Sequence, residues 1–123
     1  MEMIGRMIGT MFLAREYAHR EHLRVTGAGS FAKHSALGEF YTEIIDNADA
    51  IVEAYQGRHD IIDIPYLPMV KEEDPVKVLE QLLDDIEKIR YDAVDKKDTA
   101  IQNLIDTAVE TFLSTLYKLR HLR

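Results

Sequence analysis

The chain of 123 residues has no cysteine, no tryptophan, only three prolines and only six glycines. Without cysteine there are no disulfides, no Cys-ligated zinc and no thiol nucleophile. No stretch reaches the ~18 uninterrupted apolar residues that a membrane span needs. The opening segment carries Glu2 and no basic leader before an apolar block, so no secretory signal is expected and the cytoplasm is the expected setting. There is no P-loop and no dinucleotide glycine fingerprint. Ser30 and Ser35 flank His34, but no strand-borne elbow accompanies them, which argues against a hydrolase. Cations are the minority charge: 15 Lys and Arg against 22 Asp and Glu give a net charge of −7. Their single cluster is Lys118, Arg120, His121 and Arg123 at the chain end. That is too little to neutralise a track of phosphates, so nucleic acid is not the expected partner. An acidic balance suits attraction of cations instead.

What remains is a chain built for helices. Hydrophobic content of 46% and charged content of 30% describe one soluble domain covering residues 1–123. Residues 2–24 read as a first helix. Met3, Met7, Met11, Ala14 and Ala18 recur at spacings of three and four, widened by Ile4, Ile8 and Phe12, a stripe that reads as core. Gly5 and Gly9 weaken this helix by up to ~1 kcal/mol each, while their spacing of four permits close approach of another segment. Thr26 to Ser30 is a turn by composition, with Ser30 as N-cap of a second helix that runs to about Gln56 and stops at Gly57. Its apolar stripe is Leu37, Phe40, Tyr41, Ile44, Ala48, Ile51 and Tyr55.

Residues 57–73 hold Pro65 and Pro68 and an unusual number of apolar side chains, among them Ile61, Ile62, Ile64, Tyr66, Leu67, Met69 and Val70. No long helix fits there. A connection of this length can cross the bundle and join parallel helices, its apolar residues covering the core or a dimer contact. His59, Asp60 and Asp63 within it read as a solvated loop. Asp74-Pro75 then opens a third helix, with Asp as N-cap and Pro at the first helical position. Val76, Leu79, Leu82, Leu83, Ile86, Ile89 and Ala93 form its stripe, and Asp84, Asp85 and Glu87 its solvent side. Asp98 or Thr99 caps a fourth helix with Ile101, Leu104, Ile105, Ala108, Phe112, Leu116 and Leu119 inward. The expected fold is all-α: a four-helix bundle with a long connection between helices 2 and 3.

The residues with metal-binding chemistry concentrate between His22 and Glu53. His22 ends the first helix; His34 begins the second, and Asp49 and Glu53 lie near its end. Imidazole and carboxylate suit iron or another divalent metal. By themselves Asp49 and Glu53 read as a solvated helical face. His19 reads as a partly exposed polar residue on the same face as His22. In a continuous helix His34 and Asp49 are ~22 Å apart along the axis and ~60° apart around it, with Glu53 ~100° from His34. They share a side and cannot share an ion within one chain. A second copy laid antiparallel across a two-fold axis near Thr42 and Glu43 brings Asp49 and Glu53 of one to His34 and His22 of the other, making two sites per dimer.

These residues resemble the Dps-like mini-ferritins of the ferritin-like superfamily, whose pattern reads roughly H-W-N-V-x-G, H-x-x-x-D, D-x-x-x-E. The first part stands here as His22-Leu23-Arg24-Val25-Thr26-Gly27. His34 follows twelve residues after His22, and Asp49 and Glu53 keep the family spacing. Gly38 stands where the family has a metal-binding Asp, and Leu23 where it has Trp. The resemblance covers roughly residues 17–56; beyond them it is a match of helix order and length. It implies a ferritin-like fold and an inter-subunit ferroxidase site formed by His22, His34, Asp49 and Glu53. There ferrous iron would be bound and oxidised, with zinc or manganese as other ions such ligands accept. It also implies a homo-oligomer, at least a two-fold dimer and at most a hollow iron-storing cage. Matching His22 to the family places Met1 inside the first helix, leaving no room for the Lys-rich arm that binds DNA in some members. Larger di-iron bundles carry two E-x-x-H pairs per chain, whereas Glu16 and His19 form one such pair here.

Overall fold

A computed structural model describes residues 2–69, 71 and 74–123. Four helices follow in order: α1 (Glu2–Arg24), α2 (Ser30–Arg58), α3 (Pro75–Ala93) and α4 (Thr99–His121). No strand occurs among the described residues. The helices form a four-helix bundle in which α1 packs on α2 and α3, and α4 packs on the same two from the other side. The direction of each helix follows from its end contacts. Arg58 at the end of α2 pairs with Asp98 at the start of α4 at 2.8 Å. Lys118 near the end of α4 pairs with Glu39 in the third turn of α2 at 2.6 Å. Arg120 reaches Glu80 near the start of α3 at 2.9 Å. Helices α2 and α3 are therefore both antiparallel to α4 and parallel to each other.

The expected stripes build the interior. Ile4, Met7, Ile8 and Met11 of α1 meet Leu37, Phe40, Ile44 and Ile51 of α2, Leu79 and Ile86 of α3, and Ile101, Ile105 and Phe112 of α4, all fully enclosed. Phe40 and Phe112 pack edge to face with ring centroids 4.9 Å apart. Each such side chain contributes roughly 1.5–3 kcal/mol through burial. Met3 and Phe12 depart from the expected core stripe. They are 41% and 40% exposed, because they sit at the edge of the arc that faces α2 and α3. Between α3 and α4, the buried Arg90 guanidinium donates to the Gln102 side chain at 2.9 Å, the Gln102 carbonyl at 3.0 Å and the Asp106 carboxylate at 2.7 Å. Gln102 in turn donates to the Val94 carbonyl. This network fastens the short α3–α4 turn.

Two helix boundaries differ from expectation. Ser30 is the first residue of α2, and Gly29 occupies the cap in a left-handed conformation with φ 76°. Gly27 is also left-handed, so the turn closes one residue earlier than a Ser cap requires. Gly57 does not stop α2. The helix continues through it to Arg58, whose ion pair with Asp98 holds the last turn, and the His59 amide still donates to the Tyr55 carbonyl. The caps of α3 and α4 agree with expectation: Asp74 accepts from the Val76 amide, and Asp98 accepts from the Ile101 amide.

The described part of the α2–α3 connection carries no helix from His59 onward. It lies along α1 as a strap. A Cβ on Gly5 would fall inside contact distance of the Asp63 carbonyl, and one on Gly9 would stand 3.0 Å from the Pro65 carbonyl. The two glycines thus provide the groove that seats residues 63–67. Among the described residues of the strap, Ile62 is the one buried apolar side chain, and Ile64 packs half-buried against the core. Ile61, Tyr66 and Met69 project outward at 71%, 103% and 49% exposure, so they do not cover the core of the single chain. Val70, Glu72 and Glu73, also part of the expected connection, lie outside the described residues.

Candidate metal centre

The turn between α1 and α2 brings two of the four expected ligands together. The rings of His22 and His34 stack with centroids 3.7 Å apart and planes 18° from parallel. Each uses Nδ1 on the other's backbone: His22 Nδ1 lies 2.6 Å from the His34 carbonyl oxygen, and His34 Nδ1 lies 2.7 Å from the His22 carbonyl oxygen. A carbonyl can only accept, so both Nδ1 atoms must carry the proton. In the neutral imidazole that leaves both Nε2 atoms with a lone pair. A backbone carbonyl bound to one ring nitrogen is the usual support of a metal-ligating histidine, because it fixes tautomer and ring orientation. The clasp joins the last turn of α1 to the first turns of α2, and both rings are half-buried.

Gly38 makes the clasp possible. A Cβ at this position would stand 3.0 Å from His22 Cε1 and 3.1 Å from His22 Nδ1. The His22 imidazole therefore occupies the space in which a side chain at position 38 would begin. Glu39, the next carboxylate along, is turned away and pairs with Lys118. Two further rings extend the cluster. His19 stacks on Tyr41 at 4.2 Å with planes 14° apart, and Tyr41 sits edge-on to His22 at 5.3 Å. His19 is half-buried, in keeping with the expected partly exposed residue, and its ring also packs on Tyr41. Spacing alone could not show this, because Tyr41 lies on another helix.

Asp49 and Glu53 are exposed, four turns further along α2. No group of three or more His, Cys, Asp or Glu able to hold a metal ion occurs among the described residues of the single chain. One chain thus supplies two adjacent imidazoles at one end of α2 and two exposed carboxylates at the other. Their side of the α1–α2 pair is a continuous stripe. Phe12, Glu16, His19 and Leu23 of α1 and His34, Gly38, Tyr41, Ile45 and Asp49 of α2 recur at spacings of three and four, each set within an arc of ~80°. Gly5 and Gly9 continue the α1 stripe, and there the strap covers it.

Two of the four residues of the basic cluster at the chain end are held in ion pairs. Lys118 is bound to Glu39, Arg120 to Glu80, and the His121 ring packs 5.7 Å from that of Tyr117. Among the described residues no helix is long and apolar enough to cross a membrane.

A model described as a family of unknown function (DUF5856) matches residues 22–119. The chain belongs to this family. The match begins at His22 and takes in the whole clasp together with Asp49 and Glu53. No curated protein and no solved structure matches the chain.

Proposed function

We propose that this DUF5856 protein is a ferritin-like, iron-binding homo-oligomer. In it, His22 and His34 of one chain and Asp49 and Glu53 of a second hold ferrous iron and support its oxidation. The observation that carries this reading is the reciprocal clasp: two imidazoles side by side, each with Nδ1 spent on a carbonyl and Nε2 left as donor. Parallel α2 and α3, both antiparallel to α4, support a ferritin-like bundle with a crossover connection. In the proposed chemistry iron is the substrate. The imidazoles and carboxylates position it, and one electron per ferrous ion passes to dioxygen or peroxide. Zinc and manganese are the other divalent ions such a donor set accepts. The setting consistent with this is the cytoplasm, and the assembly is a two-fold dimer or a cage built from such dimers.

The competing reading is a structural bundle without metal chemistry. It is favoured by Gly38, which removes one carboxylate, and by the lack of a three-ligand group within the described chain. Ferrous salt added to the protein decides between them. Growth of ferric absorbance above the protein-free rate, lost in His34→Ala, supports ferroxidase activity; equal growth in both proteins, with no stoichiometric binding, leaves the structural bundle. Mixing tests the sharing of ligands. A His22→Ala/His34→Ala chain and an Asp49→Asn/Glu53→Gln chain each lack every complete site, but their mixed dimer contains one. Recovery of about half a site per chain in mixed dimers requires ligands from two chains.

A further inference from the structure

We propose that Leu23 of one copy inserts into the apolar cavity beside Asp49 of another, so that the contact which closes the proposed metal centre also covers that cavity. The inference rests on the shared-site reading above and names the surface that brings it about. The cavity has a volume of about 540 Å³ and lies between α1, α2 and the strap. Phe12, Leu13, Ile45, Ile64 and Leu67 give it apolar walls, and Asp49 is among its polar lining residues. Leu23 is 72% exposed at the far end of the same α1 stripe, next to His22. A leucine so placed has no role in the core of its own chain.

The occupant follows from the register that the shared ligands require. An antiparallel copy that sets its Asp49 level with His34 is related by a two-fold midway between those positions, near Thr42. The same two-fold sets Ile45, on the cavity wall, level with Gly38, where the His22 ring lies and Leu23 follows it. Imidazoles adjoin the plug and a carboxylate adjoins the socket, so the polar and apolar contacts demand the same offset. The strap ends the coverage of the α1 stripe near Phe12, leaving Phe12, Glu16, His19 and Leu23 for the second copy. Thr42 and Glu43, where the two-fold axis would pass, are exposed.

Sedimentation equilibrium of the full chain tests this with Leu23→Arg, Phe12→Arg and the conservative Leu23→Met. Leu23→Arg leaves helical content and melting of the isolated chain unchanged, because the side chain is exposed there. It weakens self-association by at least ~30-fold, the effect of losing a central interface anchor. Phe12→Arg weakens it from the socket side, and Leu23→Met retains it. A wild-type chain that stays monomeric at high micromolar concentration overturns the proposal, as does association indifferent to both Arg variants. Saturable binding of an apolar dye by a monomeric wild-type chain would assign the cavity to a small molecule and also overturn it. The two readings fail separately: Leu23-dependent dimers that take up no iron sink the metal assignment alone, and iron-binding dimers indifferent to Leu23→Arg sink this one alone.

Discussion

Two glycines in α2 permit one substitution with opposite consequences. A Cβ at Gly57 meets no heavy atom within 4 Å. Gly57 is helical with no left-handed φ, so Gly57→Ala gains helix propensity at no steric cost. The full gain is up to ~1 kcal/mol, and roughly half of that is expected one residue from the helix end. At Gly38 the same gain is opposed. The new methyl must displace the His22 ring, whose nearest atoms stand 3.0 and 3.1 Å from the Cβ position. That ring cannot simply swing aside, because its Nδ1 is held at 2.6 Å by the His34 carbonyl and its face by the His34 ring. Breaking the clasp costs ~1 kcal/mol per lost hydrogen bond, and more for a carbonyl left dry. Two bonds and a stack outweigh the propensity gain, giving a net loss of about 1–2 kcal/mol. For a domain of this size ~1 kcal/mol moves Tm by about 4 °C. Thermal melts followed by circular dichroism should therefore show Gly57→Ala slightly above wild type and Gly38→Ala several degrees below it. Histidine ring resonances should move only in Gly38→Ala. If Gly38→Ala stabilises the chain as much as Gly57→Ala does, the placement of His22 against α2 is wrong, and with it the clasp.

Other substitutions test separate parts of the molecule. Gly5→Ala puts a methyl into the Asp63 carbonyl and should cost about 1–3 kcal/mol by lifting the strap, read as a lower urea midpoint and faster proteolysis between residues 60 and 69. Arg90→Met strips donors from the Gln102 side chain and carbonyl and should cost about 2–3 kcal/mol in the same melt; a change below ~0.5 kcal/mol would show that the network is dispensable. Asp98→Ala removes the α4 cap and the partner of Arg58 together, for a loss of about 1–2 kcal/mol, whereas Thr99→Ala should be nearly neutral. Asp49→Asn should abolish stoichiometric binding of iron, measured by equilibrium dialysis, while leaving the melting temperature within about 1 °C, since Asp49 is exposed in the single chain.

The helices were legible because each signal was local. Asp74-Pro75 and Asp98 are caps that act within three residues, and the inward stripes need only the helical period to be drawn. Boundaries set by something non-local were misread. Ser30 looked like a cap until the left-handed Gly27 and Gly29 were seen to close the turn first. Gly57 looked like a stop until the Arg58–Asp98 pair, forty residues apart in sequence, held the last turn open to continuation. Phe12 fitted the α1 stripe by spacing, but spacing does not say which edge of the stripe lacks a neighbour. Gly5 and Gly9 were read as a place of close approach, and what approaches is the strap. At the candidate site, spacing places the four proposed ligands along the chain. It could not show that His22 and His34 hold one another's backbone, because that depends on the path of the turn between them.

Gly38 carries two meanings that turn out to be one. By the resemblance to mini-ferritins it stands where a carboxylate would, and by geometry it is the floor on which the His22 ring rests. A carboxylate regained by Gly38→Asp would crowd the His22 ring, which would have to shift to admit its Cβ. On the proposed reading this has an electrostatic consequence. Two carboxylates and two neutral imidazoles balance a divalent ion, leaving the centre uncharged. Once that ion is trivalent the same ligands leave a net charge of +1, which a third carboxylate would have cancelled. Uncompensated charge in a partly enclosed site is costly. The centre with Gly38 should hold ferrous iron better, relative to ferric iron, than one with an added acidic ligand. Its product should leave more readily, so a site that cannot keep ferric iron is suited to passing it on.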